Sequence, residues 1–265
     1  MELQSRYAEL SARGIGLAVV LYDPPEVLKA FADQWSIEYP LLSDVGSEVI
    51  QRYDILNREM EQGSPIYGIP YPGTFVLDNA GRVTDRFFEQ RYEERFTLSS
   101  IALRLGDPIT GDARDATQVE TDHLTLVSYA SDEIVAPGNR FSLALDVTPK
   151  PEMHVYAPGD HTYQVIRLRM TTPEYLQMHE VDYPPSETYD FEPLNETVPV
   201  YQEPFSFVQE ITIPMSPEIA ELAQSGEKLT IEGTLEYQAC DHEICYVPAE
   251  VPLSWELDWR PLVFN

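Results

Sequence analysis

Cysteine is almost missing from these 265 residues: there are two, Cys240 and Cys245. That excludes a disulfide-dense scaffold and leaves room for one bridge or one dithiol. Basic residues are scarce too, 17 against 45 acidic, for a formal net charge of −28. A field of that sign repels a phosphate backbone and an anionic leaflet, which argues against nucleic-acid and membrane-surface partners. Long apolar runs are lacking; Leu17 to Tyr22 falls far short of a span, so no membrane insertion is expected. Met1 to Gln4 shows no signal-peptide pattern and opens directly into amphipathic helix spacing. What remains is a globular composition, 43% hydrophobic and 23% charged.

Charge and proline are unevenly spread. Residues 1–110 carry 10 basic and 17 acidic residues, whereas the remaining 155 carry 7 and 28. Residues 106–117, rich in Gly, Asp and Thr and without apolar periodicity, read as a linker, with a boundary near residue 112. The expected division is a domain over 1–108, a linker over 109–119 and a second domain over 120–265.

The first part alternates helix and strand patterns in the order α-β-α-β-α-β-β-α, an α/β layer architecture. Ile15 to Tyr22 reads as a strand buried on both faces. Pro24, Pro25 and Glu26 start a helix that carries Val27, Leu28, Phe31 and Trp35 inward. A hairpin is expected around Asn79, Ala80 and Gly81, and a last helix from Glu93 to Leu105. This order, together with the segment Ile69 to Gly81, resembles the thioredoxin-like fold in its AhpC/TSA peroxiredoxin (redoxin) form. The resemblance implies a cis-proline at Pro72, beside the active site of that family. It also implies an earlier central strand and a reactive cysteine ahead of the first helix, and both are lacking in residues 1–108. The domain is therefore expected to be incomplete at its N-terminus, without peroxidase activity, and open to homo-oligomer formation through the gap in its sheet.

The second part changes period. Phe141 to Val147, Gln164 to Met170, Phe205 to Ile213 and Leu229 to Tyr237 alternate apolar and polar, and His123 to Tyr129 and Glu250 to Leu257 complete the set. Only Ser216 to Gln224 offers a helix. About seven strands argue for an immunoglobulin-like β-sandwich. Trp255 and Trp259 are expected in its packing.

The chemistry gathers between Leu235 and Pro248, where a strand ends at Cys240 and the chain returns from Cys245 after a four-residue turn. Across such a hairpin, paired Cβ atoms lie within disulfide range. Asp241 and Glu243 should raise the thiol pKa values, and a charged His242 should lower them, so the acidic rim favours a disulfide awaiting a partner's thiolate. His154 and His161 read as turn or surface residues. Tyr237, Gln238, Cys240, Cys245 and Pro248 resemble, position by position, the N-terminal domain of the thiol:disulfide interchange protein DsbD. That resemblance implies an exchanging cysteine pair with Tyr237 and Tyr246 as neighbours. It further implies a cap loop at Glu192 and Leu194, a flanking aromatic at Tyr156, a thioredoxin-like or membrane-embedded electron donor, and a periplasmic or extracytoplasmic setting; the missing export signal leaves the cytoplasm open. No cofactor and no metal are expected. Three other readings stand beside exchange: a purely structural staple in a binding or scaffold protein, two buried reduced thiols, and a metal site formed by Cys240, His242 and Cys245.

Overall fold

The computed structural model describes residues 2–61, 63, 67–106, 115–171, 173–191 and 196–260. Two compact units emerge, Met1–Tyr92 and Glu93–Asn265.

The first unit runs α1 (Glu2–Ala12), β1 (Val19–Leu21), α2 (Pro25–Trp35), β2 (Leu41–Ser43), α3 (Glu48–Arg52), β3 (Gly73–Leu77) and β4 (Val83–Phe88). Strands β1 and β2 pair in parallel, with Val19 opposite Leu41, and β3 and β4 form a hairpin, with Gly73 opposite Phe88. The hairpin turns where expected: Asp78 Oδ1 accepts from the amides of Ala80 and Arg82, and Gly81 takes the positive φ of 75° that favours glycine. Asp44 caps α3, its two carboxylate oxygens accepting from Val49 and Ile50 amides at 3.1 and 2.9 Å.

Among the described residues the two strand pairs stay separate sheets, and this overturns the expected burial. The run Ile15 to Tyr22 yields only a three-residue strand, with Val20 41% exposed. Of the four apolar residues in α2 expected to face inward, Leu28 is buried while Val27, Phe31 and Trp35 are each more than two-fifths exposed. A continuous parallel sheet would have covered these faces, whereas a two-stranded one offers too little area. The expected cis-proline is also corrected: the peptide bond before Pro72 is trans. Trans is the favoured isomer, and here the chain is held on both sides, with Tyr71 N donating to Ile55 O at 2.7 Å and Glu89 N donating to Pro72 O at 3.0 Å.

The second unit begins with β5 (Arg95–Phe96) and α4 (Leu98–Arg104). This is the helix expected to close the first domain. It lies instead against the second core, with Ser100 and Ser142 hydroxyls 2.6 Å apart and Phe96 under the Arg140 guanidinium at 4.4 Å. Residues 107–114, most of the expected linker, fall outside the described residues. Then follow β6 (Thr117–Glu120), β7 (Leu124–Ala130), β8 (Ile134–Val135), β9 (Asn139–Pro149), β10 (His154–Tyr156), β11 (Arg167–Thr171), β12 (Gln177–Met178), β13 (Glu187–Phe191), β14 (Glu196–Tyr201) and β15 (Phe205–Thr212). After α5 (Pro217–Leu222), the chain ends in β16 (Leu229–Tyr237), β17 (Ala239–Cys240) and β18 (Ala249–Trp259).

Two sheets make the sandwich: β12-β15-β9-β7-β6, with β5 added on β9, and β11-β16-β18-β8. Their inner faces share one core, to which Leu126, Leu143, Leu145 and Phe207 come from the first sheet and Ile231, Leu235, Leu253 and Trp255 from the second. Burial alternates along β18 and along β16 as far as Leu235, which is how a two-residue side-chain period delivers one face of a strand to a core. A third sheet, β13-β14-β10-β17, stands at the end where β16 gives way to β17, and it carries the cysteines.

Candidate functional site

Strand β16 ends at Tyr237, and one residue later the chain resumes as β17, paired to a different sheet through His154 opposite Cys240. Gln238 holds this switch. Its side-chain oxygen accepts from Gln164 N at 3.1 Å, its amide donates to Tyr246 O at 2.9 Å, and its own carbonyl accepts from Tyr156 N at 3.3 Å. Cys240 and Cys245 then face each other as an antiparallel bridge with Cα atoms 4.1 Å apart, joined by a disulfide. Bonded in this way, neither sulfur is a free thiolate.

The turn between them is organised by Asp241. Its Oδ1 accepts from Glu243 N at 2.7 Å and Ile244 N at 2.6 Å, and its Oδ2 accepts from the Tyr246 hydroxyl at 2.9 Å. Those backbone N–H groups, then the phenol, hold the carboxyl below the usual aspartate range, while the Asp241 hydrogen bond pushes the Tyr246 phenol up. Asp241, expected to act on the thiols, therefore spends its charge on shaping the loop. His242 and Glu243 stand on the exposed tip, with Nε2 and Oε1 3.9 Å apart. Tyr237 is not beside the cysteines: the alternation of β16 turns it into the main core, where its hydroxyl donates to Thr121 Oγ1 at 2.9 Å.

Strand β10 pairs with β17 and brings a side chain to the sulfurs. Residues His154 and Tyr156, two apart on one strand, share the face that meets Cys240. The Tyr156 hydroxyl lies 3.1 Å from Cys240 Sγ and 3.3 Å from Cys245 Sγ. Burial, then the neighbouring Tyr163, raises this phenol well above its ordinary value, so it stays a neutral hydroxyl able to donate to sulfur. His154 is buried, its ring 4.3 Å from that of Tyr189, and burial lowers its pKa. The expectation of a turn or surface histidine is corrected there. His161 lies between, 5.3 Å from the Tyr156 ring, with its Nε2 2.9 Å from Ala157 O.

Tyr156, Val198, Val200 and Cys240 form a small apolar cluster of their own, with Tyr163, Tyr189 and Cys245 packed against it. Tyr189 and Val198 of this cluster come from the paired strands β13 and β14. Glu192 and Leu194 themselves lie outside the described residues. Burial within the pair is unequal: Cys240 is 1% exposed, Cys245 is half-buried, and Ile244 and Val247 on either side of it are exposed. Tyr163, Tyr189 and Glu196 were missed from sequence. The two-residue spacing of His154 and Tyr156 could have paired those side chains, but nothing in the pattern signals that residues 163, 189 and 196 converge on them.

Residues 1–86 match the AhpC/TSA family, and residues 125–252 match the N-terminal domain of the thiol:disulfide interchange protein DsbD. Both resemblances read from the sequence are thus shown, and the β-rich architecture agrees with a thioredoxin-like part followed by a sandwich. Two curated relatives from Mycobacterium tuberculosis, strains CDC 1551 / Oshkosh and H37Rv, are provisionally named peroxiredoxins. Each is 26% identical over 82 residues, 31% of this chain and 52% of its own length. The chain spans about half the length of the curated relatives it matches. Among solved structures, the N-terminal periplasmic domain of ScsB from Proteus mirabilis aligns with a TM-score of 0.37 and 16% identity, over 55% of this chain and 52% of that one.

Proposed function

We propose that the second unit is an immunoglobulin-like thiol–disulfide exchange module and that its reacting group is the Cys240–Cys245 disulfide. One observation carries this reading: a half-buried Cys245 is bonded to a buried Cys240, with the Tyr156 hydroxyl within 3.1 and 3.3 Å of their sulfurs. A partner thiolate reaches Cys245 Sγ from solvent. As the new S–S bond forms, the bond to Cys240 breaks and its electron pair stays on Cys240 Sγ. Burial opposes that thiolate, and the Tyr156 O–H offsets the penalty, a hydrogen bond to a charged acceptor contributing about 1.5–3 kcal/mol. A second partner thiol then releases Cys245, leaving a dithiol and an oxidised partner.

The resemblance to the DsbD N-terminal domain supports a thioredoxin-like or membrane-embedded, DsbD-like protein as the exchange partner, and an extracytoplasmic setting. Residues 1–239 hold no cysteine, so thiol-based peroxide reduction by this chain could draw only on Cys240 and Cys245, which we assign to exchange. Peroxide consumption that persists in the Cys240→Ser/Cys245→Ser variant would contradict that assignment. The exchange reading is tested by alkylating thiols before and after mild treatment with dithiothreitol, with the sites read by mass spectrometry. Both cysteines should be labelled only after reduction. A disulfide that resists mild reduction would make it a staple and the protein a scaffold.

A further inference from the structure

The turn that carries Cys245 is held by hydrogen bonds and yet leaves its apolar side chains bare. Asp241 Oδ1 accepts from the amides of Glu243 and Ile244, Asp241 N donates to Ile244 O at 3.0 Å, and Tyr246 N donates to Ala239 O at 3.0 Å. Within this frame Ile244, directly before Cys245, is 55% exposed, and Val247, two residues after it, is 82% exposed. A half-buried sulfur is thus flanked along the chain by two uncovered apolar groups. A surface fixed in one shape loses little conformational entropy when a partner covers it.

The charge around this turn has one sign. Strands β10, β13, β14 and β17 and the turn 241–248 carry Glu187, Asp190, Glu196, Asp241 and Glu243, with no lysine or arginine. Hydrogen bonding leaves that charge in place. Glu187 accepts from Gln202, Asp190 from Thr197, Glu196 from Tyr163, and Asp241 from backbone amides and Tyr246, all neutral donors. Glu243 has the imidazole of His242 at 3.9 Å.

We propose that this face docks a protein thiol whose neighbouring side chains are apolar and cationic. The apolar neighbours cover Ile244 and Val247, the cationic ones meet the acidic rim, and the partner's sulfur is delivered to Cys245. The proposal rests on the exchange reading above and specifies its partner. The covalent step is unchanged: the docked thiolate forms its bond to Cys245 Sγ, and the electron pair of the broken bond stays on Cys240 Sγ. An anionic thiol is repelled by the rim as it approaches, and a thiol without apolar neighbours leaves Ile244 and Val247 in water. Selection acts on the flanks of the incoming cysteine, before any bond changes.

The test presents the oxidised full chain with an excess of one of three end-blocked peptide thiols: Leu-Lys-Cys-Lys-Leu, Leu-Glu-Cys-Glu-Leu or Ser-Lys-Cys-Lys-Ser. Reactions are quenched with a maleimide, and the mass of the chain reports peptide adducts and newly labelled cysteines. Flanking charge also shifts the peptide thiol itself, so rates are expressed per thiolate and relative to the same peptide's rate with 2-hydroxyethyl disulfide. At low salt the Leu-Lys peptide should react about 10-fold faster than the Leu-Glu peptide, the low end of what a field of one sign adds to association. In about 1 M salt, where the screening length is about 3 Å, that ratio should fall to about 2-fold or less. The Leu-Lys peptide should also outpace the Ser-Lys peptide about 3-fold, through the apolar area it covers. Glu243→Gln should shrink the first ratio and Val247→Ser the second. Equal relative rates for the three peptides, or a charge ratio that salt leaves unchanged, would overturn the docking proposal, while reduction by dithiothreitol would keep exchange intact. A disulfide that neither the peptides nor dithiothreitol reduces would overturn the exchange reading and the docking proposal together.

Discussion

If the disulfide is a reacting group, the second unit must stay folded in both redox states, and the cost of opening the bond follows from its place in the fold. The bridge closes a loop with a sequence separation of only 5. Loop-closure entropy at that length contributes about 2 kcal/mol. The main core draws most of its buried residues from β7, β9, β15, β16 and β18; Val155 of β10 and Ala239 of β17 also join it, but neither cysteine does. Reduction should therefore lower the stability of the second unit by about 2 kcal/mol, a drop in melting temperature of about 4–8 °C for a unit of this size. The assay is urea and thermal unfolding of the full chain with and without dithiothreitol, followed by the fluorescence of Trp255, which is 5% exposed in β18. The Cys240→Ser/Cys245→Ser variant should behave like the reduced protein. Loss of the cooperative transition on reduction, or a cost above about 5 kcal/mol, would refute the reasoning and identify the bond as a staple on which the fold depends.

Three further outcomes are expected. In a monomer, amides of Val19–Leu21, a three-residue strand with one partner, should exchange with deuterium well before those of Leu229–Tyr237, which sit between β11 and β18; equal protection would mean that another segment completes the first sheet. Leu235→Ala, at a site with no exposure, should cost the second unit about 2–5 kcal/mol in urea unfolding, whereas Val247→Ala, at 82% exposure, should stay within about 0.5 kcal/mol; similar costs would contradict the core assignment. Burial lowers the pKa of both His154 and His179, so the unfolded chain binds protons at these sites before the folded one does. Stability should be fully present above pH of about 6.5 and decline as pH falls below it toward the lowered folded values. His154→Gln should flatten that slope, and a pH-independent difference between variant and wild type would refute the attribution.

The strand at Leu229–Tyr237, the long alternating strands β9, β15 and β18, the helix near Pro217 and the pairing of two cysteines across a turn were all legible in the chain. Each depends on local information: a two-residue period, a cap and proline, or a short hairpin spacing. The extent of burial in the first unit was not legible. Apolar runs such as Ile15 to Tyr22 state what a strand could bury, but the partner strand decides whether it does, and pairing is a property of the assembled sheet. The destination of α4 was hidden for the same reason, since an amphipathic helix carries no label for the core it will join.

At the cysteine site the division between sequence and structure follows from chain separation. Sequence alone determined that one cysteine pair is present and that an acidic turn links it, and the resemblance implied Tyr156 as a flanking aromatic. Only the tertiary structure decided that Asp241 serves the loop backbone instead of the sulfurs and that Tyr237 turns into the core. It likewise decided that Cys240 is buried while Cys245 is half-buried, and that the ring of Tyr163 stacks on that of Tyr156. A hairpin spans a few residues, so its geometry is written in its spacing. Tyr156 meets Cys240 only after β10 has paired with β17, and Val198 and Val200 join them only after β14 has paired with β10, and no local period encodes those pairings.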